Sequence, residues 1–321
     1  MDLVAPRKPI PDWLRAQPFR PYDHSMGRGR MDGADVVRMF HGVRAVAGSP
    51  GDWRDRSDIE ALQIRCHALL QVITTGAFFG MFTAAKIWGV PLPIKWLHDE
   101  TIHTVVFAPD RAPNRPGVKG RQLTDDYAFC LEVSGLPIID PLTMFCHLGM
   151  VLSLPDLVAV GDALIRVPDA RDPDARPPVQ LDLLNDRIGL YYGRGKRRAR
   201  EAFELIRPGA ESRPETLTRL LLAGEGFPEP ELNVELYDTA GAFLARVDLL
   251  YRRFRVAVEY DGEQHRTDKT QYDRDVGRLD YLAAHGWRVV RIGSQTLFGD
   301  PQDLINRVRR ALQAAGWQPG G

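Results

Sequence analysis

Residues Arg246–Gly293 read RVDLLYRRFRVAVEYDGEQHRTDKTQYDRDVGRLDYLAAHGWRVVRIG. Two β-branched, apolar runs, Phe243–Leu250 and Arg255–Tyr260, flank the pair Arg252-Arg253 and predict a β-hairpin. Side chains alternate along strands, so Val256, Val258 and Tyr260 face one way and Ala257, Glu259 and Asp261 the other. A loop with an even number of residues sets Asp248 opposite Ala257 and on the same face as Glu259. An odd loop sends Asp248 to the other face, because a slip of one residue inverts every side chain. Converging carboxylates with no obvious Lys or Arg among them repel one another, and a divalent cation between them removes that cost. Oxygen-only ligands favour Mg²⁺ or Mn²⁺. The expected ligands are Asp248 and Glu259, with Asp261 beside them. His265, four residues beyond Asp261, is placed to move a proton. Each residue also has a plainer reading. Asp248 suits a turn or an edge, and His265 lies in a polar loop as surface histidines do. Glu259 ends an apolar strand, where a partly buried carboxylate needs a partner. Gly262 lets the backbone turn or approach a ligand closely.

Downstream, Tyr272–His285 has an amphipathic helical pattern with Val276, Leu279, Leu282 and Ala283 inward. Arg274 and Arg278 lie one turn apart and, with Arg266 and Lys269, can grip successive phosphates. Pairing with Asp273, Asp275 and Asp280 explains the same arginines equally well. Gly286 closes the helix, Trp287–Ile292 reads as a strand, and residues 301–314 as a last amphipathic helix. Upstream, Ser212-Arg213-Pro214-Glu215 opens a helix through Leu217, Leu220, Leu221 and Leu222. Pro214 suits the first turn, and Ser212 with Glu215 fits a capping box, the carboxylate reaching back to the Ser212 amide. The basic run GKRRAR, with Lys196 and Arg197, reads either as a solvated helix face or as a phosphate contact.

The composition narrows the classes. With 321 residues there is material for two cores. Lys+Arg and Asp+Glu both number 42, so any nucleic-acid footprint has to be local. The three cysteines follow no metal-ligand spacing, and the N-terminus has no apolar leader, which together lead us to expect a cytoplasmic protein. No Gly-rich phosphate loop ending in Lys-Ser/Thr is present, so a nucleotide cofactor is not expected.

Residues 1–57 are rich in Pro, Gly, Arg and Asp and read as a partly ordered extension with one short helix over 34–41. A helix is expected from Asp58. Thr83 is expected to cap a second, short helix that Gly89 ends. That helical pair fits a helix-turn-helix or a plain helical pair in an α/β core. Ile102–Phe107 and residues 135–139 read as strands. Residues 108–120 read as an exposed basic loop, and 141–150 and 154–165 as helices. The Pro/Asp/Arg run 166–178 reads as a linker.

Two resemblances follow from these pieces. TAAKIWGVPLP, IHTVV, PGVKGR and GLPIIDPLTMFCHLGMVLSLPDLVAVGDALI occur in the order seen in AbiEi-type antitoxin proteins, over roughly residues 70–166. That resemblance implies a winged helix-turn-helix. SRPETLTRLLL, RVDLLY, VAVEYDGEQH, YDRDVGRLDYLAAHGWRVVRI and the last helix resemble the PD-(D/E)xK restriction-endonuclease-like superfamily, in the branch of very-short-patch-repair endonucleases, over about residues 195–315. This second resemblance implies that Glu215 is a helix-borne acid of the site and that Asp248 and Glu259 are metal ligands. Asp261 stands where the superfamily carries Lys and the very-short-patch branch carries His, with His265 near that branch's second His.

The expected architecture is an α/β restriction-endonuclease-like domain (helix, three-strand meander, helix, strand, helix) at 179–321. An α+β winged-helix-like domain at 58–178 precedes it. The expected function is a metal-dependent DNA endonuclease in repair or defence. The alternative is a non-catalytic DNA-binding regulator of antitoxin type. DNA is the expected partner, together with a toxin or defence-system protein.

Overall fold

The computed structural model describes residues 10, 15, 17–24, 26–47, 53–73, 76–168, 176–261 and 281–319. Contacts divide the chain into two compact units: residues 1–148 with 189–193, and residues 149–188 with 194–321.

The first unit begins with a short helix α1 (Arg28–Met31) and an antiparallel hairpin, β1 (Val36–Phe40) and β2 (Val43–Val46). The short helix expected over 34–41 is therefore a strand. Val36, Val37, Val43 and Val46 carry β-branched side chains, and Gly42 at φ +89° turns the chain between the strands. Helix α2 (Asp58–Leu70) starts at a reciprocal capping box between Ser57 and Glu60. Helix α3 (Met81–Ile87) begins at Gly80, so Thr83 does not cap it. Thr83 is buried inside the helix, and its hydroxyl accepts the His103 amide at 2.8 Å. Gly89, at φ +66°, ends the helix as expected. After α4 (Ile94–Leu97), β4 (Ile102–Phe107) forms as read. The segment expected as a basic loop instead folds back as β5 (Asn114–Arg115) and β6 (Val118–Leu123). Gly120 makes that fold possible, since a Cβ there would lie 2.1 Å from the Pro113 carbonyl oxygen. With β3 (Phe78–Phe79), β7 (Cys130–Val133) and β8 (Leu136–Ile139) these strands form one mixed sheet of order β5-β6-β4-β3-β8-β7. Helix α5 (Pro141–Leu148) closes the unit.

The second unit comprises residues 149–188 and 194–321. Helix α6 (Leu154–Ile165) belongs to it, together with residues 181–188 of α7 (Leu181–Leu190), α8 (Lys196–Leu205) and α9 (Arg213–Gly224). Two ion pairs tie α6 into this unit. Asp156, in the first turn of α6, accepts two hydrogen bonds from Arg213 at 2.9 and 2.7 Å. Asp162 is 1% exposed and accepts from the Arg207 amide, the Thr216 hydroxyl and the guanidinium of Arg219, itself 2% exposed. A linker can be long and polar while its preceding helix packs forward, if buried charges tie that helix down.

The sheet of this unit has the order β12-β11-β10-β9, from β9 (Glu231–Tyr237), β10 (Phe243–Tyr251), β11 (Val256–Asp261) and β12 (Arg288–Gly293). The first three are an antiparallel meander, and β12 runs parallel to β11. Helix α10 (Pro301–Ala314) starts at the Asp300 cap. Its Leu304, Ile305, Val308 and Leu312 pack with Leu249, Tyr251, Val256 and Val258. On the other side Leu250 and Ala257 cluster with Leu282. The alternation read from Val256–Asp261 is therefore the one that forms. The expected helix over 272–285 lies largely outside the described residues, although 281–284 are helical and Gly286 follows at φ +78°.

Asp162→Ala leaves Arg219 buried without its carboxylate. We expect a loss of about 3–5 kcal/mol of stability in urea unfolding. Glu231→Ala, which breaks the exposed Arg252–Glu231 pair, should cost under about 1 kcal/mol.

Candidate functional site

The hairpin turn occupies Arg252–Phe254, and Arg255 takes φ +51°, so Tyr251 pairs with Val256 and Leu250 with Ala257. The loop between the paired residues is even. Asp248 does share its face with Glu259, but the register is two residues from the expected one, with Leu250 and not Asp248 opposite Ala257. One step beyond the Leu249–Val258 pair, the register brings Asp248 level with Glu259. The ladder stops there, and the Tyr260 amide donates to Asp248 Oδ2 at 2.8 Å.

The same level continues to both edges of the sheet. On the β12 side Glu259 is in register with Arg291. On the β9 side, Val247–Val234 and Leu249–Leu232 bracket the level of Asp248 and Asn233. Asn233 adopts φ +50°, a left-handed conformation that Asn tolerates better than most residues. Asn233, Asp248, Glu259 and Arg291 thus form one polar row across four strands. Asp248 is half-buried and Glu259 is 6% exposed.

Glu215 joins this row from the first turn of α9. Ser212 caps the helix, its hydroxyl accepting the Glu215 amide at 3.4 Å. The Glu215 carboxylate reaches past the expected Ser212 amide. Its Oε2 accepts the Glu211 amide at 2.8 Å and Asn233 Nδ2 at 2.5 Å. Burial pushes the Glu215 carboxyl above its ordinary range, and the negative charge of Asp248 pushes it the same way. That repulsion puts the two carboxylates within electrostatic reach.

Asp261 differs from its expectation. The site was read as free of cations, yet Arg291 Nη2 donates to Asp261 Oδ2 at 2.7 Å. Arg246 also lies close, paired with Glu211 at 2.5 Å. The sequence signals for Asn233 and Arg291 are polar residues flanked by apolar ones in the strands ELNVELY and RVVRIG. His265, Arg266, Lys269, Arg274 and Arg278 lie outside the described residues. On α8, Arg197 pairs with Glu201 at 2.8 Å, the solvated-face arrangement, while Arg198 and Arg200 bond Leu152 O and Asn185. Among the described residues no three His, Cys, Asp or Glu side chains are grouped closely enough to hold a metal ion by themselves.

Residues 233–312 match the family REase_MTES_1575, a restriction endonuclease-like family. The matched segment contains the whole polar row and ends within α10. Two curated relatives are Uncharacterized protein MT2308 and Uncharacterized protein Rv2248, from the CDC 1551 / Oshkosh and ATCC 25618 / H37Rv strains of Mycobacterium tuberculosis. Each is 31% identical over 122 residues, which is 38% of this chain and 45% of the relative. The chain therefore spans less than half the length of either. No solved structure matches. The C-terminal four-stranded sheet fits a restriction-endonuclease-like domain. The antitoxin resemblance of the N-terminal region gains no support from these matches. No helix among the described residues is long and apolar enough to cross a membrane.

A folded-state pKa above the ordinary 4.5 of Glu215 means that the native state holds this proton longer than the unfolded chain. Its contribution to stability is present below about pH 4.5 and is lost as pH rises through the folded value. In melts from pH 4 to 8 without divalent metal, wild type should lose stability relative to Glu215→Gln as pH rises. A pH-independent difference would show that Glu215 is not held above its ordinary range.

Proposed function

We propose that the C-terminal region is a metal-dependent DNA endonuclease that hydrolyses phosphodiester bonds, with a role in repair or defence. The observation that carries this reading is the alignment of Asp248 and Glu259 on one sheet face inside the matched segment, with Glu215 coupled to Asp248 from the adjoining helix.

The donor set fits a hard divalent cation, Mg²⁺ or Mn²⁺, because all three side chains offer carboxylate oxygens. Asp248 and Glu259 would hold it. Mg²⁺ takes one or two protein carboxylates and completes its shell with water and substrate phosphate, so a closed group of three is not required. When bound, such a cation offsets the repulsion among the carboxylates and polarises the phosphodiester. The remaining work falls to the chain. The Tyr260 amide fixes the rotamer of Asp248. Asn233 and the Glu211 amide hold Glu215 against the row. His265 is the imidazole assigned to the proton. Arg266, Lys269, Arg274 and Arg278, with Lys196 and Arg197 on α8, are the proposed contacts to the DNA backbone. We further propose that the N-terminal region brings the nuclease to DNA or to a toxin or defence-system partner.

Cleavage of supercoiled plasmid with Mg²⁺, Mn²⁺ or EDTA tests this reading. Nicking should require metal and fall roughly 10²-fold or more in Asp248→Ala and in Glu259→Ala, since the lost cation supplies several kcal/mol. If no form cuts and duplex binding persists in EDTA, the weight moves to a non-catalytic DNA-binding regulator.

A further inference from the structure

We propose that Arg291 is the fixed cation that grips the scissile phosphate, and that Asp261 positions Arg291 and does not join the metal-holding carboxylates. This role rests on the nuclease reading above. Parallel pairing sets Arg291 beside Glu259 and Asp261 beside Gly293, so the guanidinium rises on the same face as the acidic row. Among the described residues Asp261 is its one hydrogen-bond partner, through Nη2. The Arg291 side chain is 40% exposed, which leaves the rest of its donor fork open on the solvent side.

Charge explains why such a residue is needed. Glu215, Asp248 and Glu259 gather carboxyl groups at one level of the sheet, and a phosphodiester brings a negative charge to the same face. Asp248 and Glu259 would hold a cation that would offset part of this charge. A guanidinium one strand away can bond the non-bridging oxygens of the phosphate with two parallel N–H groups and stabilise the charge that builds during attack. The single tether to Asp261 aims the fork without using it up. Asp261, satisfied by that ion pair, is a poor candidate for a metal ligand. The cation thus comes from β12, where only the sheet pairing can reveal it.

The test compares wild type with Arg291→Gln, Arg291→Lys and Asp261→Asn. Four quantities are measured: cleavage kcat and KM, duplex affinity in EDTA, the Mn²⁺-induced rise in melting temperature, and melting temperature alone as a check on folding. Arg291→Gln should lose roughly 10²-fold in kcat, the scale of one preorganised charge-stabilising donor. Its duplex affinity should stay within about threefold, because one phosphate contact among many adds little to ground-state binding. Arg291→Lys should recover part of the loss, as a point charge without the fork. Asp261→Asn should lose about tenfold in kcat, the size of a positioning effect, and keep the Mn²⁺-induced shift. If wild type cuts and Arg291→Gln cuts equally well, Arg291 has no such role and the nuclease reading stands. If Asp261→Asn abolishes the Mn²⁺ shift, Asp261 is a ligand and the assignment is overturned. A wild type that cuts nothing removes the nuclease reading and this role together.

Discussion

Everything at the site depends on the register between β10 and β11. Pairing Leu250 with Ala257 sends both to one face, and the period of two then carries Asp248 and Glu259 to that face as well. Shift β10 by one residue and Asp248 would turn toward Val256 and Val258 in the apolar core. An unpaired carboxylate there costs far more than the hairpin's ladder supplies. Core packing on one face thus enforces alignment of the acids on the other. The tight turn at Arg252–Arg255, with Arg255 left-handed, closes the hairpin in that register.

The acids are placed at a cost that the surrounding structure offsets locally. Glu215 is buried and pushed upward in pKa, yet two donors hold it, and Asn233 accepts an unfavourable φ to supply one of them. The Tyr260 amide gives up its place in the ladder and goes to Asp248. Carboxylates and backbone strain collected in one row are features that ligand-binding sites share. Away from the row, the buried Asp162–Arg219 pair with Thr216 and the Arg207 amide is fully committed to holding α6 against α9. Its chemistry is structural, and that is why α6 belongs to the second unit.

The C-terminal half was legible because each segment carried its own signal. The β-branched strands, the Ser212 and Asp300 caps and the amphipathic face of α10 are local properties, and tertiary packing did not override them. The N-terminal half was less so. The strands at 36–46 and 114–123 are short, and their pairing depends on turns at Gly42 and Gly117 and on the close approach of Gly120 to Pro113. Thr83 reads as a cap in the sequence because a cap and a buried acceptor inside a helix draw on the same hydroxyl chemistry.

The sequence by itself determined that one short hairpin carries two carboxylates and that a capped helix carries a third, since both follow from chain periodicity and local hydrogen bonding. That Asp248 and Glu259 share a face was decided by the strand pairing. Only the tertiary structure decided which residues stand beside them. Asn233 and Arg291 are 58 residues apart in sequence and reach the same level of the sheet only through strand order. The charge balance of the site, with Arg291 answering Asp261, is therefore a property of pairing between distant strands, which no local pattern of residues encodes.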